Sequence, residues 1–442
     1  MNASWRKILG NSGWQFADRL FRQGGGILIS IAIARHLGPQ YFGDLSFAIA
    51  FSIFFAALAK LGLDTIVVRE IVRQPERSGD ILGAAFALKL LGGVLALSLA
   101  ALTIRWIRPH DPALQGLVVI VAAGIVFQAF DTADLWFQSQ VQSRWTAIAR
   151  GSAFVVLATT NISLIVMKAP VEAFAGTAAA EAVLYAIGFS VVVWRAPRPA
   201  DLRLRVRWQQ MVILLRESGY LIFAGIAVAL YLRLDQILLA EFMDNKAVGL
   251  YSAALKLSEM WYVIPTVIVS SATPYLTTLY SQSSQSPQTY NEYRAKLQQL
   301  LNMLMRVAFL IVIPMVLLAR VLMQWLYGAA YAEAGLILSI HIVAAVFVFQ
   351  GVGISAVMVI EQRTRLLWWQ TLAGVLCNIA LNSVLIPLYG AAGAAVALVA
   401  SQFFVNYGVL GLRPETRHLF VMETKAFQAL VSWGSWDWWN KK

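Results

Sequence analysis

Apolar runs of about 20 residues alternate with short polar connectors from one end of the chain to the other. About 20 residues of helix cross the roughly 30 Å hydrocarbon core of a bilayer. The pattern therefore predicts about twelve spanning helices, near 11–34, 43–68, 80–104, 116–139, 146–167, 173–194, 211–240, 249–275, 300–322, 335–360, 366–387 and 390–411. The connectors LGPQ, RQPERSG, RPHDPAL, KAP, RAPRPAD, SQSSQSPQ and LRPET hold the proline, glycine and polar clusters that end helices. A tail over 412–442 follows, where Trp433, Trp436, Trp438 and Trp439 with Lys441 and Lys442 predict an interfacial anchor.

Composition places this pattern in lipid. The 442 residues are 59% hydrophobic and 13% charged, whereas soluble domains average about 25% charged. The fold class is all-α integral membrane. The net charge of +12 would suggest nucleic acid in a soluble chain, but here it divides by topology. With both termini in the cytoplasm, and residues at span ends counted with the adjoining side, 23 of the 35 Lys and Arg fall on the cytoplasmic side, six outside and six deeper within spans. That asymmetry is the positive-inside pattern and leaves no case for a nucleic-acid partner. The single cysteine, Cys377, excludes an intrachain disulfide and a cysteine-only metal site. The four histidines lack HExxH spacing, so no metal or other resident cofactor is expected. The start, MNASWRKILG, predicts no cleavable leader.

An internal repeat organises the spans. IAIARHLGPQYFGDLSFA (31–48) aligns without gaps to ILLAEFMDNKAVGLYSAA (237–254), matching Ile31/Ile237, Ala34/Ala240, Gly43/Gly249, Ser46/Ser252 and Ala48/Ala254. Both copies end one span and open the next, with an even number of spans between them. The halves then share one orientation, as in parallel-repeat transporters. The division expected is an N-lobe over 1–194, a cytoplasmic linker over 195–210, a C-lobe over 211–411 and the tail. In the linker, Arg203, Arg205 and Arg207 alternate with Leu202, Leu204 and Val206, a pattern suited to anionic headgroups.

Charges inside spans are the candidate chemistry, because each costs several kcal/mol in hydrocarbon unless it faces protein or water. Asp18 and Arg22 are four apart, as are Lys60 and Asp64, and Lys256 and Glu259 are three apart, so each pair can neutralise itself on one helix face. Arg19, Lys89 and Arg233 have no partner at helical spacing. They need another helix, water or an anion, and their positions on spans 1, 3 and 7 favour a wet cationic cavity between lobes over interhelical pairing. Asp131, Asp134 and Glu181 can carry a coupling proton or sodium, or serve as counter-ions to arginines. Gly24, Gly25 and Gly26 offer a bend or a close approach. Pro265, Pro274 and Pro314 predict kinks. Trp136, Trp145 and Trp261, near span ends, read as interfacial belt residues in preference to platforms for sugar rings.

The segments ARHLGPQYFGDLSFA, LDQILLAEFMDNKAVGLYSAALKLSEMWYVIP and NSVLIPLYGAAGAAVALVASQFF resemble Wzx-type oligosaccharide flippases. These belong to the superfamily of multidrug exporters of the MATE type and lipid II flippases. The resemblance covers residues 10–412 and implies two six-helix lobes with a cationic cavity opening to each side in turn. It implies no enzymatic step. The implied substrate is an undecaprenyl-diphosphate-linked oligosaccharide of the O-antigen or exopolysaccharide kind, moved to the outer leaflet of a bacterial inner membrane. A proton or sodium ion is the implied coupling ion, and the polysaccharide polymerase and chain-length machinery are the implied partners. Relatives place basic residues on the first helices and the seventh for the diphosphate, which points to Arg19, Arg22 and Arg233, joined here by Lys89 and Lys256. Asp235, in LDQILL, matches an acid of that family, and Asp18, Asp131, Asp134, Glu181 and Glu259 complete the coupling or pairing set. The alternative is a cation-coupled exporter of small organic molecules, which wants acids to dominate its cavity.

Overall fold

The structure is a computed structural model. It describes the backbone of residues 3–195, 204–282 and 286–430, and side chains over these ranges from Asp18 onward, Arg19 excepted. The predicted tryptophan anchor at 433–439 and the lysines after it lie outside the described residues, as does Arg203.

The described chain is helical, without strands. Its first part comprises α1 (Ala3–Lys60), α2 (Leu63–Arg73), α3 (Ser78–Ile107), α4 (Pro112–Phe127), α5 (Thr132–Ser139), α6 (Arg144–Val166), α7 (Val171–Arg195) and α8 (Trp208–Phe242). There follow α9 (Asn245–Glu259), α10 (Val263–Gln282), α11 (Pro287–Tyr327), α12 (Ala334–His341), α13 (Ala344–Ile360), α14 (Thr364–Phe403), a π-turn at Phe404–Gly408, α15 (Val409–Leu412) and α16 (Arg417–Gln428). Helix starts follow side-chain chemistry. Asp111 accepts a bond from the Leu114 amide at 3.0 Å ahead of Pro112, and Ser286 accepts one from Gln288 at 3.2 Å ahead of Pro287. Each is a polar cap followed by a proline whose missing N–H leaves no donor unpaired.

Nine helices among the described residues are long and apolar enough to cross a membrane. Two of them, Leu20–Arg73 and Thr364–Leu412, run for 54 and 49 residues, which at ~1.5 Å per residue is more than twice the hydrocarbon thickness. The first is broken at Gly38 (φ 71°) and again at Leu61 and Gly62, and the second at Gly390 (φ 58°); at Gly38 and Gly390 only glycine takes that backbone without strain. The break at Gly38 falls between the predicted spans at 11–34 and 43–68, and the break at Gly390 falls at the start of the predicted span 390–411, whereas Leu61 and Gly62 interrupt the span predicted at 43–68. The span predicted at 249–275 falls across α9 and α10, which lie outside the nine because Ser, Thr, Lys and Glu lower their hydropathy. The Gly24–Gly26 run does not bend α1. Gly24 and Gly26 face open space, and Gly25 sits against the Phe154 ring.

The chain forms two compact units, residues 1–249 and 250–442. In the first, α8 packs on α1, α2 and α3. The two copies of the sequence repeat meet within this unit. A Cβ on Gly43 would run into the carbonyl of Asn245, and a Cβ on Gly249 would run into the carbonyl of Pro39. Asn245 precedes Gly249 by four residues, as Pro39 precedes Gly43, so the contact is reciprocal in the repeat register. The Asn245 amide also donates to Asp44 at 2.6 Å. The core of this unit gathers Leu63, Val67, Ile71, Ile81, Leu88, Leu135, Trp136 and Phe189.

The second unit is tied by neutral polar groups. His341 meets Ser258 at 2.9 Å, the Gln350 amide donates to the Leu301 carbonyl at 3.0 Å, and the Gln370 amide donates to Val405 in the π-turn at 2.6 Å. Such groups hold helices together where water is absent. After the last long helix, α16 buries Leu419, Met422, Glu423 and Ala426, one stripe at helical spacing.

Glu423 is fully buried, and neither carboxylate oxygen has a hydrogen-bond partner. Burial pushes its pKa from 4.5 up to about 9. The folded value lies above the unfolded one, so docking of α16 is strongest below pH 4.5 and weakens as the pH rises toward about 9. Between those limits the docking equilibrium falls by up to roughly tenfold per pH unit. Hydrogen–deuterium exchange across 417–428, corrected for intrinsic rates, is expected to accelerate over this window in wild type and to stay flat in Glu423→Gln.

Candidate functional site

The first unit holds the intramembrane charges that the sequence singles out, and most are paired. On α1, Arg22 donates to both Asp18 oxygens at 3.0 and 2.9 Å, as their spacing predicts. Its side chain stays 27% exposed, so the guanidinium is positioned without being closed off. It also interacts with Tyr185 on α7, whose hydroxyl donates to Glu181 at 2.7 Å. Asp18, Arg22, Tyr185 and Glu181 thus form one chain of polar groups bridging α1 and α7. The Arg19 side chain lies outside the described residues.

Lys89 is not a free cation. Its ammonium lies 2.5 Å from Asp64 and is 4% exposed. The predicted Lys60–Asp64 pair fails because the two residues share no helix. α1 ends at Lys60, Leu61 and Gly62 take left-handed backbone, and α2 begins at Leu63, which turns Asp64 onto α3. Asp134, buried on α5, accepts from Arg150 of α6 at 2.7 Å and from Gln138 at 2.7 Å. Asp131, in the 3-10 turn before α5, lies within electrostatic reach of Lys89, Arg150 and Lys60. The result is a network of three cations, Lys60, Lys89 and Arg150, and three acids, Asp64, Asp131 and Asp134, on six helical elements. It is neutral in sum, where an excess of positive charge is the sequence expectation. Helical spacing could not reveal it, because every pair joins different elements.

Arg233 is half-buried on α8 with Asp235 buried two residues on, and both are engaged by neighbours. The cations expected from both lobes, Arg19, Lys89 and Arg233, therefore all lie in residues 1–249, because α8 belongs to that unit. Lys256 and Glu259, both half-buried on α9 and engaged, belong to the second unit. Sequence reasoning missed Arg150, Tyr185 and Arg108. The last donates to the Ala240 carbonyl and pairs with Glu241 at 3.3 Å, closing the C-terminus of α8 with positive charge. Trp136 is a core residue, 8% exposed, and Trp145 packs against the same core beneath the Arg144 guanidinium at 5.0 Å. Among the described residues, no cluster of three metal-binding side chains occurs.

Residues 8–280 match a family described as polysaccharide biosynthesis protein. The chain belongs to that family. Among characterised sequences it is 27% identical over 180 residues to "Probable flippase AglR" of Haloferax volcanii, a match spanning 39% of this chain and 36% of that relative. Its fold is similar to the lipid II flippase MurJ in an inward closed conformation, with a TM-score of 0.71, 14% identity, and 95% and 93% of the two chains covered. An inward-facing multidrug resistance MATE family transporter of the MOP superfamily gives a TM-score of 0.68 at 14% identity, covering 95% and 96%. At such identities the likeness defines the fold alone. With the long apolar helices, it supports an all-α, multi-pass membrane protein.

Proposed function

We propose that this protein is a flippase that carries a polyprenyl-diphosphate-linked oligosaccharide from the inner to the outer leaflet of a bacterial inner membrane by alternating access, both termini cytoplasmic. The reading rests on family membership together with one observation. α1 and α8, which pack on each other, hold Arg22 and Arg233 among residues that otherwise face lipid and protein. A diphosphate carries about two negative charges and cannot enter hydrocarbon unaided. Guanidinium binds phosphate through a planar pair of donors, and Arg22, held by Asp18 yet partly open, is oriented for that task. Transport changes location and no covalent bond, so no catalytic residue is assigned.

Asp131 is the coupling candidate for a proton or sodium ion. It faces Lys89, Arg150 and Lys60, so a change in its charge is felt across the network. The shared fold of MATE exporters supports a second reading, export of small organic cations. The balanced network and the two arginines favour an anionic substrate.

Proteoliposomes loaded with a fluorescent polyprenyl-diphosphate oligosaccharide separate these readings. Wild type is expected to expose the labelled headgroup to an external quencher well above the protein-free rate. Arg22→Ala and Arg233→Ala are each expected to fall at least tenfold. Rates equal to empty vesicles, with uptake of an organic cation instead, would favour the exporter.

A further inference from the structure

One cavity in the first unit lies beside its core and apart from the charged groups described above. It measures about 320 Å³ and is lined by Phe86 of α3, Phe130 of the 3-10 turn, Trp136 of α5, Phe189 of α7 and Leu204. Phe86 and Phe130 meet edge to face at 5.2 Å. The only hydroxyls in its wall are already spent locally, since Thr132 donates to the Ala129 carbonyl and Ser190 to the Ala186 carbonyl, each at 2.7 Å. No charged side chain lines it. A cavity whose hydroxyls are satisfied and whose lining holds no charged side chain suits hydrocarbon better than an ion.

Leu204 belongs to a short extended strap, residues 204–207, pinned to the start of α3. The Arg205 amide donates to the Gly79 carbonyl at 3.1 Å, and the Arg207 guanidinium pairs with Asp80 at 3.2 Å. Gly83 lets the strap lie flat, because a Cβ there would meet the Arg205 backbone at 2.5 Å. Leu204 thus lines the apolar cavity, and the next residue, Arg205, is exposed. An apolar cavity with an exposed cation one residue along the chain from its wall is complementary to an amphiphile bearing phosphate at one end.

We propose that this cavity receives the phosphate-proximal end of a polyisoprenyl chain, with Arg205 against the phosphate and Leu204 packed on the chain. The inference rests on the flippase reading and adds the site that grips its lipid. The volume admits a short segment, which leaves the rest of the chain in the bilayer. The ring-lined walls suit planar, methyl-branched isoprene units better than a straight saturated chain. Ser190, exposed on α7 and lining the cavity, reports occupancy.

The test uses the full chain with Cys377→Ser and Ser190→Cys, reconstituted in phosphatidylcholine vesicles and alkylated with N-ethylmaleimide. Undecaprenyl phosphate is expected to slow alkylation at least fivefold, and the same mole fraction of phosphatidylglycerol is not. Arg205→Glu is expected to erase the protection. Ala133→Cys provides a second reporter in the same wall, and Val384→Cys, exposed in the other unit, should show no protection. Equal protection by phosphatidylglycerol would assign the cavity to bulk lipid, and no protection at either reporter would overturn the proposal. Because alkylation reads binding alone, protection without headgroup translocation would sink the transport reading and leave the site. Translocation without protection would sink only the site.

Discussion

Gly43→Ala and Gly249→Ala are each expected to destabilise the folded protein severely, while Gly24→Ala leaves it unchanged or slightly more stable. All three substitutions add one methyl group to a glycine in a long helix, where alanine is intrinsically favoured by about 1 kcal/mol. Their surroundings set them apart. At Gly43 and Gly249 the new Cβ meets backbone carbonyl oxygen, of Asn245 and Pro39 respectively, and backbone can give way only by separating whole helices. At Gly24 there is nothing within 4 Å. Overpacking a tight contact costs about 1–3 kcal/mol and occasionally more, and a clash of backbone against Cβ belongs at or beyond the upper end. Thermal unfolding in detergent reads the contrast directly. The Gly43→Ala/Gly249→Ala double variant should cost less than the sum of the two, because the first separation makes room for the second. Equal melting temperatures for Gly43→Ala and Gly24→Ala would show that the repeat contact does not hold the helices together.

That contact also marks how far the sequence could be read. Apolar run length is a local property, so the all-α membrane class was legible throughout, and so was the Asp18–Arg22 pair, which needs only helical spacing. The register of the repeat placed Gly43 and Gly249 in equivalent positions, but nothing in a single sequence says that equivalent positions touch. The same limit explains Lys89. Its partner Asp64 is 25 residues away on another helix, and the left-handed backbone at Leu61 and Gly62 removes Asp64 from the face it would share with Lys60. Arg150 and Asp134, 16 apart, were hidden for the same reason. A count of cations without partners at helical spacing therefore overstated the positive charge of the site. Isolated charges are too costly in lipid to leave unpaired, and the fold finds acids for them across helix interfaces. The strap over α3 shows the converse. Alternation of arginine and leucine at 202–207 revealed an amphipathic segment, yet only the packing of Arg205 on Gly83 shows that protein receives its backbone.

The network around Lys89 yields the second large expectation. In Asp64→Asn the Lys89 ammonium, 4% exposed, loses its direct partner. Removing one member of a fully buried pair costs about 3–5 kcal/mol. The value here falls toward the lower end, because Asp64 is 49% exposed and Asp131 remains within reach of the ammonium. Adding Asp131→Asn removes that second acid, so the double variant should lose more stability than the two single changes together. Replacing the pair instead, with Lys89→Met and Asp64→Leu, removes both charges and should restore most of the wild-type melting temperature, since apolar replacements of buried pairs are often neutral or better. The two readouts then separate structure from transport. If the network shifts charge during the cycle, the thermally restored Lys89→Met/Asp64→Leu protein should still move substrate at less than a tenth of the wild-type rate. Normal transport by that variant would make the pair a tie between α2 and α3 and leave Arg22 and Arg233 to carry the substrate alone.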